Sequence, residues 1–224
     1  MFTLSPDTHL CLISETAIFL DVPGNRYVRL TRQQTEWLSR LLAELPPPGT
    51  EVSRFAERLV ARGLLLSRQD GADAVRPTCR SLPVSSVYDL NSLQTASGGA
   101  RLRFVQALLT GWMIGRRKTL LSAVSAARQW KARAAVHGEP QSDEILASVN
   151  RFHALQPYFF TAHEACLFRS LVLARYLTLM GVRPDWVFAV RLAPFEAHCW
   201  IEHDGVLLNE RTDKAREYRA ILAV

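Results

Sequence analysis

Residues 161–181 read TAHEACLFRSLVLARYLTLMG, and this stretch decides the fold of the C-terminal part of the chain. Apolar residues recur from Leu167 to Met180 with the spacing of a buried helical face. Gly181 can end the helix, and Pro184 stands just beyond it. The pattern predicts one helix that packs into a core.

The start of this helix sets the environment of Cys166. Thr161 and Glu164 match a capping box, which places Cys166 close to the positive end of the helix dipole. A start nearer Cys166 itself is the alternative. The thiol is a candidate nucleophile in either case, because a helix N-terminus or a neighbouring imidazole lowers the pKa of a cysteine.

Two further candidates follow in residues 197–210, AHCWIEHDGVLLNE, which read as two strands joined at an Asp-Gly turn. They supply His198 and, after the turn, Glu210. Cysteine, histidine and carboxylate therefore come in the order that papain-like and transglutaminase-like hydrolases use. The imidazole holds the thiolate ready to attack a carbonyl, and the carboxylate fixes the imidazole tautomer.

The register of the two strands decides whether these groups can meet, because side chains alternate between the faces of a strand. With a two-residue loop, His198 lies opposite Arg211 and Glu210 points away. With a three-residue loop at residues 203–205, His198 lies opposite Glu210. We predict the three-residue loop. If Glu210 lies on the other face, Asn209 is the substitute partner of the imidazole.

The 224 residues suffice for one large domain or two small ones, and their composition is that of an ordinary globular protein. No charged segment followed by an apolar core marks a signal peptide at the start of the sequence. No apolar run is long enough to span a bilayer, which takes about eighteen residues or more. We therefore expect a cytoplasmic protein without a membrane partner.

The four cysteines are scattered without a C-x-x-C pair, and we expect them to be reduced. They are Cys11, Cys79, Cys166 and Cys199. A metal site near Cys166 would need both His198 and Cys199, but neighbours on a strand face opposite ways. Too few ligands then converge, so we expect no metal. Cys199 and His203 are assigned structural roles.

The N-terminal part reads as a small winged-helix-like domain over residues 1–70. Short apolar segments separated by turn residues predict a three-strand meander at residues 10–31. Thr31 and Gln34 form a capping box for the first helix, and a second helix covers about residues 52–62. A short return strand completes the unit.

The sheet of this domain offers an edge to which an extended peptide can add as a further strand. Main-chain hydrogen bonds then give affinity, and side-chain pockets give selectivity. The alternative is that the side chains only cover a solvent-facing surface. DNA binding is disfavoured because the second helix carries charges of both signs. The candidate edge strand consists of Tyr27, Val28, Arg29 and Leu30.

Residues 71–99 hold few periodic apolar residues and are assigned as a linker with one short element near residues 85–90. Residues 91–138 then carry eight Lys or Arg and no acid, while the whole chain has a net charge of +6. Such a segment receives an acidic peptide, a partner protein or nucleic acid, or is only a solvated face. Two helices are predicted, residues 100–114 and 120–136. Their buried candidates are Trp112, Leu120, Leu121, Val124 and Trp130.

Three segments resemble the B proteins of lasso peptide biosynthesis. They are CLFRSLVLARYLTLMGVRPDWVFAV at residues 166–190, AHCWIEHDGVLLNE at 197–210 and EYRAILAV at 217–224. These proteins are leader peptidases with a transglutaminase-like fold, and the resemblance covers about residues 155–224. The N-terminal domain looks like the PqqD-like precursor-recognition element that such proteins carry fused or as a separate chain.

The resemblance implies an α+β protein with a winged-helix-like, PqqD-like domain followed by a transglutaminase-like, papain-like cysteine protease domain at residues 100–224. It implies Cys166 as nucleophile, His198 as general base and Glu210 as third member of a triad. The family has Asp at this last position, after Leu-Asn, and Glu is one methylene longer. The possible substitutes for Glu210 are Asn209, Asp204 and Asp213.

The resemblance also implies two partners, the leader of a ribosomal precursor peptide and an asparagine-synthetase-like lasso cyclase that uses ATP. The chain itself shows no phosphate loop, and we expect no cofactor for it. We also expect no nucleic-acid partner, because the second helix of the N-terminal domain carries charges of both signs. Two rival functions stay open. One is a peptide- or DNA-binding adaptor that has lost activity, and the other is an acyltransferase that passes the thioester to an amine.

Overall fold

The computed structural model describes residues 2–43, 49–67, 83, 85–89, 98–117, 119–134, 140–160 and 166–224. It is a mixed helix and sheet structure of two compact units. The first unit holds residues 1–79 with 219–222, and the second holds residues 80–218 with 223–224. Among the helices of the described ranges, none is both long and apolar enough to cross a membrane.

The first unit contains the meander expected near its start. Its strands are β1 (Phe2–Leu4), β2 (Thr8–Ile13), β3 (Thr16–Asp21) and β4 (Arg26–Arg29). Strands β2, β3 and β4 form an antiparallel sheet in that order. The predicted three-strand meander is confirmed, and β4 is an edge strand of this sheet.

Two helices and a return strand complete the unit. Helix α1 (Arg32–Leu42) begins with the predicted capping box, since the Thr31 hydroxyl accepts from the Gln34 N–H at 3.2 Å and the Gln34 side chain accepts from the Thr31 N–H at 3.1 Å. Helix α2 (Thr50–Ala61) is followed by β5 (Leu65–Ser67), which pairs with β1. The core includes Leu10, Phe19, Leu38, Phe55 and Leu59.

In the second unit one long helix packs on strands of a five-stranded sheet, and three further long helices pack against that helix. The long helices are α3 (Gly98–Gly115), α4 (Leu120–Ala134), α5 (Ser142–Leu155) and α6 (Cys166–Thr178), and α7 (Thr212–Ala215) is a single turn. The two helices predicted in the basic segment are therefore present. Four of the five candidates for burial on them are fully or partly buried. Leu120, Val124 and Trp130 are buried, and Leu121 is half-buried.

Trp112 is the exception, because its side chain is 53% exposed. The prediction that it is buried is wrong. Helix α3 turns Phe104, Ala107 and Gly111 inward, and a Cβ on Gly111 would lie 2.8 Å from Val172 of α6. The close approach of α3 and α6 at Gly111 leaves Trp112 on the outer side of α3.

The five-stranded sheet has the order β10-β7-β8-β9-β6. Its strands are β6 (Ser85–Ser86), β7 (Asp185–Leu192), β8 (Phe195–His203), β9 (Val206–Leu207) and β10 (Arg219–Ala223). Strand β6 runs parallel to β9 and leads into one 3₁₀ turn, Val87–Asp89. This is the short element expected near residues 85–90, while most of the predicted linker lies outside the described residues.

Helix α6 ends where the sequence predicts. Gly181 has φ 88°, the Val182 N–H bonds to the Leu177 carbonyl at 3.2 Å, and the Gly181 N–H bonds to the Thr178 carbonyl at 3.3 Å. This is the Schellman arrangement, with Gly181 as the left-handed residue. The predicted capping box at Thr161 and Glu164 lies outside the described residues.

Candidate active site

The turn between β8 and β9 differs from our prediction. Glu202 pairs with Leu207 and His203 pairs with Val206, so the loop has two residues, Asp204 and Gly205. The predicted three-residue loop is wrong. Asp204 and Gly205 have φ 48° and 77°, and an Asp-Gly pair that supplies two positive φ values favours a two-residue turn that matches the strand twist.

Glu210 nevertheless reaches His198, because the regular ladder between β8 and β9 stops at Leu207. Residues 208–210 bend, and the Ile201 N–H bonds to the side-chain oxygen of Asn209 at 2.7 Å. In a continued ladder Glu210 would lie opposite Cys199, on the wrong face. In the bent segment its Oε2 hydrogen-bonds to His198 Nε2.

The main chain and the second carboxylate oxygen of Glu210 are also held. The Ser86 hydroxyl donates to the Glu210 carbonyl at 2.7 Å, and Ser86 is fully buried. The Arg211 N–H donates to Glu210 Oε1 at 2.9 Å. Glu210 is therefore fixed at three points, and Ser86 is a residue that sequence reasoning missed. A serine in a Ser-rich stretch gives no signal that it will pair with a chain segment this far away.

The other predicted substitutes for Glu210 are engaged elsewhere. Asp204, at the hairpin tip, lies 3.5 Å from His203 Nε2. Asp213 pairs with Arg211 at 3.2 Å. Glu210 is thus the carboxylate that bonds to the imidazole of His198.

Cys166 is half-buried at the first described residue of α6. Hydrogen bonds from the Cys199 thiol and from His198 lower the pKa of the Cys166 thiol to about 4, although burial opposes them. The charge of His198 and the Leu167 N–H act in the same direction. Cys166 is therefore a thiolate at neutral pH, which is the nucleophilic form of cysteine.

His198 is the cation of the pair. Burial lowers the pKa of its imidazole, but hydrogen bonds to Cys166 and Glu210 outweigh that effect and raise the pKa to about 9. Burial raises the pKa of Glu210, and its bonds to His198 and to the Arg211 N–H outweigh burial, so that the net shift is downward. The three groups form a chain of thiolate, imidazolium and carboxylate.

Cys199 was expected to have only a structural role. It is fully buried, and its bond to the Cys166 thiolate, together with burial, raises the pKa of its thiol well above the ordinary value. Cys199 therefore stays protonated and donates its S–H toward Cys166. Both His198 and Cys199 thus act on the Cys166 sulfur.

A buried network ties α6 to β8 one turn after Cys166. The Ser170 hydroxyl donates to the Cys199 carbonyl at 3.3 Å and accepts from the Asn209 amide at 3.0 Å. Asn209 in turn holds the Ile201 N–H. Asn209 thereby links the helix of the nucleophile to the strand of the histidine.

The predicted leader-binding residues belong to the first unit. Tyr27, Val28 and Arg29 lie within the edge strand β4, and Leu30 follows it. Val28 packs partly against the core, Leu30 is buried in it, and Arg29 is exposed.

Within the described ranges, no three His, Cys, Asp or Glu side chains gather in a way that could hold a metal ion. Of the described cysteines, Cys11, Cys166 and Cys199 form no disulfide bond, and Cys79 lies outside the described residues. A thiolate paired with an imidazolium can attack a peptide or ester carbonyl and form a thioester. Water or an amine can then resolve that thioester.

Comparison with known proteins gives one finding. The family model of the transglutaminase-like superfamily matches residues 108–223, which include α4 to α7, β7 to β9 and the three residues Cys166, His198 and Glu210. Neither the curated proteins nor the solved structures yielded a match. With more than half of its residues matched, the chain belongs to the transglutaminase-like superfamily.

Proposed function

We propose that this protein is the leader peptidase of lasso peptide maturation, which binds the leader of a ribosomal precursor peptide and hydrolyses the leader–core bond. One observation carries the proposal of a cysteine hydrolase. It is the chain of Cys166, His198 and Glu210, in which His198 hydrogen-bonds to both of the other residues and a thiolate is paired with an imidazolium. The superfamily includes cysteine peptidases and acyltransferases, so its chemistry fits this arrangement.

The first half-reaction forms a thioester. The Cys166 thiolate attacks the carbonyl carbon of the scissile bond, and the C–N bond breaks after the tetrahedral intermediate. The imidazolium of His198 gives its proton to the leaving amine of the core peptide, while Glu210 keeps the ring in place. Backbone N–H groups at the start of α6, including that of Cys166, are suited to bind the oxyanion.

The second half-reaction restores the enzyme. The neutral imidazole of His198 takes a proton from water, the resulting hydroxide adds to the thioester, and the C–S bond breaks. The leader leaves as a carboxylic acid, and the thiolate and imidazolium are regenerated. An acyltransferase would differ only in this step, because an amine would replace water.

The choice of a lasso leader as substrate rests on the resemblance of residues 166–190, 197–210 and 217–224. In this proposal the leader adds as a strand to β4, which raises the effective concentration of the scissile bond near Cys166. The freed amine of the core then passes to an asparagine-synthetase-like cyclase. This partner consumes ATP, and the peptidase itself needs no cofactor.

The test uses the purified protein and a precursor peptide encoded beside its gene, with and without the cyclase. Mass spectrometry compares wild type with Cys166→Ala, which removes the sulfur and leaves the fold largely untouched. We expect wild type alone to release an intact leader with a free carboxylate. A leader coupled to an added amine would identify an acyltransferase instead. Leader binding without cleavage by either protein, under either condition, would identify an adaptor and overturn the triad.

A further inference from the structure

Helix α3 carries apolar side chains on two opposite faces. Its inner face packs Phe104, Ala107 and Gly111 into the second unit. Its outer face, called here the outer α3 stripe, consists of five large apolar side chains at helical spacing. They are Leu102 (72% exposed), Val105 (44%), Leu109 (57%), Trp112 (53%) and Met113 (65%).

A continuous row differs from single exposed apolar residues, which are common and need no explanation. From Leu102 to Met113 the stripe runs along about three turns, or roughly 17 Å. Positions three and four apart on a helix are neighbours, so Leu102, Val105, Leu109 and Trp112 form one contiguous surface. Exposed rows of this kind mark places where another molecule binds.

The charges beside the stripe point to the chemistry of that molecule. Arg101, Arg103, Arg116 and Arg117 are all exposed at the two ends of α3. The guanidinium of Arg116 lies over the Trp112 ring, 4.7 Å from its centre. No acidic residue occurs between residues 91 and 138, so the sequence of this segment supplies no local counter-charge.

We propose that the outer α3 stripe binds an amphipathic helix of another protein, one whose apolar row is flanked by Asp and Glu. The apolar row would pack against Leu109 and Trp112, and the acids would meet the four arginines. Trp and Arg are the residues that most often dominate the binding energy of an interface, and here they are already stacked on each other. This inference stands apart from the proposed peptidase activity.

A second copy of the chain fits this surface poorly. In a symmetric dimer the same face meets itself, so that the arginines of one copy would oppose those of the other without an acid between them. An anionic membrane would also satisfy the charges. A helix that lies on a membrane carries Lys and Arg along its length, whereas residues 104–115 of α3 carry no charge and the arginines stand only at its two ends. The protein helix is therefore favoured, and the membrane becomes an outcome of the test.

The test uses the full-length protein and a labelled synthetic helix of the same length as α3, 18 residues, with a Leu row flanked by Glu. Fluorescence anisotropy measures its binding at low and high salt. Two control peptides replace Glu by Lys or the Leu row by Ser. Binding to vesicles with and without phosphatidylglycerol tests for a membrane partner. Sedimentation of the protein alone tests for a second copy of the chain.

Two double variants probe the surface, and each has a matched control elsewhere. The double variant Leu109→Glu with Trp112→Glu places charge on the stripe. Its control, Leu12→Glu with Leu66→Glu, places the same charge at exposed apolar side chains of the first unit. Arg101→Glu with Arg116→Glu reverses the flanking charge, and Arg54→Glu with Arg58→Glu makes the same net change on α2. All eight side chains are exposed, so circular dichroism should show that every variant is folded.

We expect the Glu-flanked helix to bind wild type and both control variants, and to bind each α3 variant at least about tenfold more weakly. Affinity should also fall with salt, and neither control peptide should compete. Equal binding by the α3 variants and their controls, or no binding of the Glu-flanked helix at all, overturns the proposal. The proposal is also overturned if the protein binds anionic vesicles and not the helix. It is overturned again if the protein alone is a dimer that the α3 substitutions convert to monomers.

Discussion

Glu210 bonds to the imidazole of His198 from a segment that has already left the sheet. The β8–β9 ladder ends at Leu207, and the side chain of Asn209 takes the place of the backbone as acceptor for the Ile201 N–H. A regular hairpin with this turn would have placed Glu210 on the face of Cys199. The carboxylate is therefore positioned by the break in the ladder, and its charge is what the first prediction tests.

Glu210→Gln keeps the length of the side chain and removes its charge, whereas Glu210→Asp keeps the charge and shortens the side chain. Without the carboxylate the imidazolium is less stable, so we expect kcat/KM for the proposed precursor cleavage to fall on the order of 10²-fold in Glu210→Gln. Glu210→Asp should retain more activity than Glu210→Gln. Wild-type kinetics in Glu210→Gln would show that the charge of Glu210 has no role in the reaction.

The pH dependence follows from the two shifted groups. Below a pH of about 4 the Cys166 thiolate takes up a proton, and above about 9 His198 loses the proton that the leaving amine needs. Cleavage should therefore fall on both sides of this window. Alkylation of Cys166 by iodoacetamide needs only the thiolate, so it should fall on the acid side and persist on the alkaline side.

His198→Ala provides the control for this profile. Removal of the imidazolium should move the acid limb of alkylation upward, toward the ordinary pKa of a cysteine. The two limbs belong to the coupled pair and not to either residue alone. An alkylation midpoint that does not change in His198→Ala would show that the two side chains do not interact.

The contribution of the buried link between α6 and β8 can be measured as a change in the free energy of unfolding. Asn209→Ala leaves the Ile201 N–H buried without an acceptor and should cost about 1–3 kcal/mol, and Ser170→Ala should cost about 0.5–1.5 kcal/mol. The two residues share a hydrogen bond at 3.0 Å, so the double variant should lose less than the sum of the singles. Urea unfolding of all four proteins gives the coupling. Strict additivity would mean that the bond contributes nothing.

The packing of α3 on α6 needs a glycine at position 111 but not one turn later, at position 115. A Cβ at position 111 would meet Val172 at 2.8 Å, so Gly111→Ala should destabilise by about 1–3 kcal/mol through overpacking. Gly115→Ala is the matched control, because its Cβ would come no closer than 4.0 Å to Phe168. That change should be neutral or stabilise by up to about 1 kcal/mol. Thermal unfolding compares the two variants, and equal effects would contradict the close approach.

The leader-binding proposal can be tested at the edge strand β4. The Leu30 N–H bonds to the Ala17 carbonyl, so by alternation the Arg29 N–H points to the open edge. Arg29→Pro removes this donor, and Arg29→Ala removes only the side chain. If the leader adds as a strand, its affinity should fall at least about tenfold in Arg29→Pro and little in Arg29→Ala. Anisotropy of a labelled leader peptide measures both, and equal affinities would place the leader elsewhere.

Features that depend on neighbouring residues could be predicted from the sequence. The capping box at Thr31 and Gln34 and the glycine end of α6 each involve residues a few positions apart, and both are present. The order of Cys166, His198 and Glu210 along the chain also indicated the site. The capping box and the helix end are local signals, and the order of the three site residues is a matter of residue types along the chain, so none of them needs knowledge of the tertiary fold.

Features that depend on distant partners could not be predicted. Strands β1 and β6 have three and two residues, too few for a period, and they exist only because β5 and β9 pair with them. Trp112 looks like a core residue, and only the approach of Gly111 to Val172 decides which face of α3 is outside. The contact between Glu210 and His198 was expected, but it was derived from a three-residue loop, whereas the loop has two residues.

The hairpin tip has a further consequence for how this chain can vary. Asn209 and Ser86 hold the segment around Glu210, and neither contact involves Asp204 or Gly205. Residues added at the tip would lengthen the loop without moving the carboxylate. The tip is thus a permissive position, where an insertion, a reporter domain or new chain termini can be accommodated while the acid beside His198 stays in place.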